Sequence, residues 1–356
     1  MKRHLSRRAG LLLGLGLLLA AAACDVPRAA DAADPIACAD GSLIAQGSSA
    51  QATAVSTWIK NYQVACPGAS IAYASMGSGA GLRAFYGGRG DFAGSDSPIA
   101  GADVAKAAAR CSSGPAIHLP MVVGPIALAY NVAGVDELRL APATIAALFT
   151  GKIKSWDDAR IKKDNPGLTL PSTPVRTVHR ADSSGTTDNF TRFLDATAGA
   201  GWTFPSGSAW PAPGGVAQSG SNRVVSAIES TDGAIGYVEA SYARFHNLPT
   251  ARVGNAAGDF VPLTDEAAAR TVAAARLTGT GNDLKIQIDY GTKDAAAYPL
   301  VLVTYEIVCR TGSPALLKSF LTYAASAAGQ QAATRLGYAP LPEDLRAKVA
   351  TAVGSL

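Results

Sequence analysis

The residues with the most chemical potential lie in one stretch, His179-Arg180-Ala181-Asp182-Ser183-Ser184-Gly185-Thr186-Thr187-Asp188-Asn189-Phe190. Arg180 offers a planar fork of donors suited to an oxyanion. Hydroxyls cluster around Gly185, where a bare backbone lets N–H groups approach a ligand. The start of a helix favours negative charge. Together these features describe a seat for a small tetrahedral anion. A plainly capped helix accounts for the Ser and Thr equally well, so the stretch alone leaves both readings open.

The elements around it set its geometry. Val175 and Val178 give a strand-like run, and Phe190, Phe193 and Leu194 recur at helical spacing. The same order, strand then small polar loop then helix start, occurs twice more. Gly41 to Gly47 is a short strand, Ser48 or Ser49 stands where an N-cap belongs, and Val55, Trp58, Ile59 and Tyr62 form one apolar face. Pro67-Gly68 ends that helix and Ser70 to Tyr73 starts a strand. Met76-Gly77-Ser78-Gly79-Ala80-Gly81-Leu82 then turns into a helix whose buried side carries Leu82 and Phe85. Asp91-Phe92-Ala93-Gly94-Ser95-Asp96-Ser97-Pro98 is a short strand ending in an acid and a proline turn. Helix starts converging on one point hold an anion without net positive charge.

Further along, a helical run ends near Phe149, and Trp156-Asp157-Asp158 reads as a surface loop with a packed tryptophan. Gly233 to Glu239 is a core strand, Ala267 to Ala275 an alanine-rich helix and Tyr298 to Tyr305 an apolar strand. Ser313 to Gly329 reads as one helix with Leu316, Leu317, Phe320 and Leu321 inward. Tyr338 to Pro342 is a turn before a last helix with Leu345 and Val349.

The first 23 residues read as an export signal: Lys2, Arg3, Arg7 and Arg8, an apolar run from Leu11 to Ala23, then Cys24. Ala21-Ala22-Ala23-Cys24 resembles a bacterial lipoprotein cleavage box, with Ala21 where leucine is usual, and implies cleavage before Cys24 and lipidation of its thiol. Ser6-Arg7-Arg8 also hints at twin-arginine export. Without the four basic residues of the signal, 27 Lys and Arg face 27 Asp and Glu. Net charge therefore gives no support to a nucleic-acid partner. Residues 24–36 read as a flexible tether. Cys38, Cys66, Cys111 and Cys309 suggest two disulfides in an oxidising compartment. Three pairings are possible; Cys38–Cys66 with Cys111–Cys309 is preferred, since it ties the entry strand to the end of the first helix. The cysteines lack a C-x-x-C pair and His4, His118, His179 and His246 are scattered, so no metal and no cofactor is expected.

Several segments, taken in order, carry a resemblance: Gly77 to Gly81, Asp91 to Asp96, Gly151-Lys152-Ile153-Lys154-Ser155-Trp156-Asp157-Asp158, Asn165-Pro166-Gly167, Arg180 to Thr186, and Gly233 to Glu239. The mature chain resembles the substrate-binding proteins of bacterial high-affinity phosphate ABC transporters. The resemblance implies a phosphate ligand set of Ser49, Ala50, Ser78, Asp96, Arg180, Ser184, Gly185 and Thr186, with Asp182 orienting the arginine. Many relatives have Thr and Phe where this chain has Ser49 and Ala50. Hydrogen phosphate keeps a proton that an Asp96 carboxylate can accept. Sulfate has none, and the unmade bond and the repulsion in a dry pocket cost several kcal/mol, a factor of about a thousand or more.

The expected fold is α/β, a two-lobed periplasmic-binding-protein architecture of type II character with a mixed central sheet in each lobe. Lobe one takes residues 37–122 and 299–356 and lobe two residues 123–298, with crossings near Pro120 and Tyr298. Ligand sits in the cleft, outside the carboxyl ends of the strands. The expected partners are inorganic phosphate, the membrane permease subunits of the importer, and the membrane itself through the lipid anchor; the expected state is a monomer on the outer face of the cytoplasmic membrane. Two rivals are a binder of another oxyanion, against which Asp96 argues, and a phosphatase-like enzyme, which needs a metal cluster or an activated nucleophile. A surface adhesin or sensor on the same fold is a third.

Overall fold

The structure is a computed structural model and describes residues 36–356. The stretches read as an export signal and a tether, with Cys24 between them, lie outside the described residues up to Pro35. The chain enters through β1 (Gly41–Gly47), crosses α1 (Ala52–Ala65) and returns in β2 (Ala69–Ser75). α1 buries Val55, Trp58 and Tyr62, as the spacing predicts, together with Ala54, while Ile59 is only partly buried. Its N-cap is Gln51 rather than Ser48 or Ser49, because the Ser48 hydroxyl accepts from the Ala50 N–H (3.0 Å) one turn too early. α2 (Ser78–Tyr86), β3 (Phe92–Ser95) and α3 (Asp103–Arg110) follow, then the long β4 (Ala116–Asn131).

Next come β5 (Arg139–Leu140), α4 (Pro142–Phe149), α5 (Ala159–Asp164), β6 (Arg176–Arg180) and α6 (Gly185–Thr197). β7 (Val216–Gln218), α7 (Gly220–Glu229), β8 (Ala234–Glu239) and α8 (Ala240–Phe245) repeat the alternation. Shorter pieces, β9 (Arg252–Gly254), β10 (Phe260–Val261), α9 (Asp265–Ala273), β11 (Arg276–Leu277) and β12 (Ile286–Gln287), lead into β13 (Val301–Cys309). α10 (Ala315–Ala325), α11 (Ala327–Thr334) and α12 (Glu343–Gly354) close the chain.

Eight strands pair in the order β2-β1-β3-β13-β4-β8-β6-β7. β1 runs parallel to β2 and β3, and β6 parallel to β7 and β8, whereas β13 is antiparallel to β3 and β4. β4 joins the two halves. From Ala116 to Pro125 it pairs with β13, and from Ile126 to Asn131 with β8. The two sheets expected from the sequence are thus two half-sheets sharing one strand, which is buried from Ile117 to Tyr130. At about 3.3 Å per residue its 16 residues reach across both. Pro120 does not end it. The register shifts at Thr304/Tyr305, opposite that proline, and a bulge tolerates a residue without an N–H.

The single helix expected over Ser313–Gly329 is two. Ser326 takes an extended backbone and its hydroxyl accepts from the Gly329 N–H (3.1 Å), starting α11 afresh. Gly329 packs so closely that a Cβ would fall 2.2 Å from the Tyr323 carbonyl oxygen. Trp156 is fully buried and donates to the Gly233 carbonyl (3.0 Å). Disulfides link Cys38 to Cys66 and Cys111 to Cys309.

Candidate functional site

β1, β3 and β6 each end at the start of a helix or a turn, and these ends meet. Gly77, at φ +88°, lets the chain turn from β2 into α2, where Ser78 is the first residue. The Ser78 hydroxyl accepts from the Asp96 N–H (3.2 Å) and from the Gly185 N–H (3.2 Å). Its own oxygen lies 3.3 Å from Asp96 Oδ2. Gly185, at the first turn of α6, has to be glycine. A Cβ there would stand 2.5 Å from the Asp96 Cβ and 2.7 Å from Ser78 Oγ. Ser184 caps α6 by accepting from the Thr187 N–H (3.3 Å). The helix-cap reading of this stretch therefore holds together with its closeness to Asp96.

Asp96 is 3 % exposed. Thr304 of β13 donates to its Oδ1 (2.7 Å). Burial raises its carboxyl above the ordinary aspartate range, while the Ser48 and Thr304 hydroxyls, the Arg180 charge and Ser78 oppose the rise. Asn189 braces the junction by donating to the Asp96 carbonyl (2.8 Å) and to the Gly185 carbonyl (2.8 Å). Tyr290 in turn donates to Asn189 Oδ1 (2.6 Å).

Arg180, 2 % exposed, closes β6. Its Nε donates to Asp182 Oδ1 (2.7 Å) and its Nη2 to Asp182 Oδ2, a bidentate pair. The Gly220 N–H at the start of α7 also donates to Asp182 Oδ1 (3.0 Å). Burial alone would raise Asp182, but the Arg180 pair and the backbone donors outweigh it and hold the carboxyl below its ordinary value. The Arg180 N–H donates to the Tyr237 hydroxyl (3.1 Å).

Ser49 faces a helix start that was not singled out in the sequence. The Ser49 and Ser221 hydroxyl oxygens are 2.9 Å apart, and the Ser221 N–H donates to Ser49 Oγ (3.2 Å). Tyr242 donates to the Ser49 carbonyl (2.6 Å) and Tyr338 to the Ala50 carbonyl (2.7 Å). The Ala50 N–H, expected to face a ligand, is engaged by Ser48. Thr186 is 1 % exposed, and its hydroxyl oxygen finds no hydrogen-bond partner in the protein. His179 stacks on Trp210 with ring centroids 5.1 Å apart.

The structure therefore brings Ser78, Asp96 and Gly185 into direct contact and places Ser184 and Thr186 on the same helix start. Arg180 reaches the first half through Asp182, whose Oδ2 would meet a Cβ on Gly77 at 2.3 Å. Ser48 and Asn189 stand in stretches the sequence singles out but without a role at Asp96, and the sequence reading singles out neither Ser221 nor Thr304. Ser219-Gly220-Ser221 after β7 repeats the strand, small loop, helix grammar and was findable. Thr304 has only a lone hydroxyl in an apolar strand to mark it. Among the described residues no group of three or more His, Cys, Asp or Glu is placed to hold a metal ion, and no helix is long and apolar enough to cross a membrane.

A mixed α/β sheet with the site at the carboxyl ends of its strands defines a binding protein of the periplasmic class. The profile of the PBP superfamily domain matches residues 32–328. Phosphate-binding protein PstS 3 of Mycobacterium tuberculosis (strain ATCC 25618 / H37Rv) is 38% identical over 325 residues, covering 88% of this chain and 86% of the relative. PstS of Methanocaldococcus jannaschii is 34% identical over 319 residues, covering 82% and 80%. The chain belongs to the PstS family of phosphate-binding proteins. Solved structures share its fold. The high-affinity periplasmic phosphate-binding protein PfluDING, bound with phosphate, superposes with a TM-score of 0.71 at 24% identity, covering 87% of this chain and 93% of that one. The phosphate-binding protein of Stenotrophomonas maltophilia gives 0.69 at 22%, covering 87% and 93%.

Proposed function

We propose that this chain binds inorganic phosphate between its two half-sheets and delivers it to the permease of an ABC importer, without turnover. Family membership supports both the ligand and the absence of catalysis. The observation that carries the reading is the meeting of Asp96, a buried carboxylate, with the Gly185 helix start and Ser78. Such a site offers N–H and O–H donors for phosphate oxygens and one acceptor for the proton of hydrogen phosphate. Thr186, with a buried hydroxyl lacking a protein partner, supplies a further donor. In this proposal the ligands are Ser49, Ala50, Ser78, Asp96, Arg180, Ser184, Gly185 and Thr186, with the Ala50 and Gly185 N–H groups exchanging Ser48 Oγ and Ser78 Oγ for phosphate oxygens and Asp182 holding the arginine fork.

The lobes of the proposal are residues 37–122 with 299–356, and 123–298. The exchange of partners on β4 between Pro125 and Ile126 supports a crossing there, slightly beyond Pro120. Phosphate touching both lobes favours the closed arrangement. Lipidation at Cys24 would keep a monomer on the outer face of the membrane, beside the permease. Equilibrium dialysis with radiolabelled phosphate against excess sulfate tests the reading. Retention of phosphate is the expected result; equal displacement by sulfate would sink the assignment of Asp96.

A further inference from the structure

Glu306 lies on β13, 1 % exposed, and neither of its carboxyl oxygens has a hydrogen-bond donor. Its register partners are Gly94 on β3 and Leu119 on β4. Register partners present side chains to the same face. A Cβ on Gly94 would fall 2.1 Å from Gln51 Nε2 and 2.4 Å from the Tyr73 hydroxyl oxygen. The face that Glu306 shares is therefore filled by Gln51 and Tyr73.

The direction of this network is fixed by proton counting. Tyr73 has one hydroxyl proton and gives it to the Ser48 carbonyl (2.9 Å). Gln51 must then donate from Nε2 to the Tyr73 oxygen (3.1 Å). That leaves Gln51 Oε1 buried with no donor, on the face it shares with a carboxyl that also has none. One proton on Glu306, given to Gln51 Oε1, satisfies both, and buried polar atoms require such partners.

We infer that Glu306 is a positioning residue of the phosphate site: as a neutral acid it donates to Gln51 and, through Tyr73, fixes the 47–51 loop that carries Ser48 and Ser49. Burial raises its carboxyl to about 8, with the Asp96 charge adding to the rise and Gln51 opposing it. The titratable groups that face it are Tyr73 from β2 and Asp96 after β3; neither is a cation. Tyr73, pushed well above 10 by burial, stays neutral in this range. Losing the Glu306 proton would place an unpartnered charge near Asp96 and a phosphate dianion and release the loop.

This inference rests on the phosphate reading, and its test separates the two. Phosphate Kd is measured by equilibrium dialysis at pH 7.0 and 9.5 for the parent, Glu306→Gln and Glu306→Leu. The ligand's own titration affects all three alike. The parent's rise in Kd over this interval should exceed that of Glu306→Gln at least about tenfold, since an amide keeps a donor and carries no charge. Glu306→Leu, which leaves Gln51 Oε1 unpaired, should bind at least about fivefold more weakly than Glu306→Gln at pH 7.0. Equal rises in parent and Glu306→Gln, or equal binding by the Gln and Leu variants, overturn the inference. Carboxyl ¹³C NMR of the glutamate-labelled parent needs no variant and no ligand. A Glu306 midpoint above 7 is expected, and one below 6 overturns the inference. A parent that binds no phosphate at any pH defeats the site reading itself and leaves the NMR result standing.

Discussion

Two aspartates close to the same junction have opposite fates. Asp96 and Asp182 both follow a strand end and both are substantially buried. Asp182 meets a guanidinium edge-on, accepts a helix N–H as well, and is held below the ordinary carboxylate range. Asp96 meets hydroxyls, feels Arg180 only at a distance, and is raised. The difference lies in the partner, since burial pushes both the same way. A paired carboxylate is committed to its cation and serves geometry. A carboxylate kept among hydroxyls keeps lone pairs for something else, and in the proposed site that is the proton of hydrogen phosphate.

The largest effect that breaks this comparison is removal of the shared cation. Arg180→Ala should weaken phosphate binding about a thousandfold or more in equilibrium dialysis, because Asp182 is left buried and unpaired as well as the ligand losing its cation. Asp96→Asn comes next. It should leave phosphate bound but reduce discrimination against sulfate about a hundredfold or more, read by competition; a variant that excludes sulfate as well as the parent would remove Asp96 from that role. Gly185→Ala should follow at about tenfold to a hundredfold in Kd, since its methyl meets the Asp96 Cβ at 2.5 Å and must spread the junction.

Stability against pH sharpens the contrast in sign. Asp182 has a depressed carboxyl, so its contribution is present above the ordinary aspartate pKa of about 4 and fades as pH falls below it. Asp96 has a raised carboxyl, so its contribution is best at low pH and fades as pH rises above about 4. Urea unfolding without phosphate should therefore show Asp182→Asn destabilising more at pH 6 than at pH 3, and Asp96→Asn becoming relatively more favourable over the same rise. Matching trends for the two variants would contradict the assignment. The smallest effect belongs to Ser221→Ala, about fivefold in Kd, through loss of one neutral hydrogen bond to Ser49.

Local chemistry was readable in the chain. The spacing of Val55, Trp58 and Tyr62 names the buried face of α1, whereas the pairing of Asp182 with Arg180 comes only from the resemblance to the phosphate-binding family. What escaped depends on distant pairing. Pro120 and Pro125 look like stops, yet β4 runs through both because a bulge absorbs the first and a change of partner strand falls at the second. The break at Ser326 is invisible to apolar periodicity, since Ser326 costs little inside a helix until Gly329 packs against the Tyr323 carbonyl. Thr304 reaches Asp96 only because β13 lies beside β3, a neighbour 208 positions away in the chain for that bond.

The bridge between Cys111 and Cys309 has a consequence for damage. It encloses a span of 198 positions that contains the whole of β6 and α6. A protease cut anywhere inside that span divides the polypeptide without separating it: both fragments stay on one covalent frame until a reductant arrives. The part of the chain that supplies the arginine can thus be nicked at an exposed loop outside the cell and still be carried beside its counterpart.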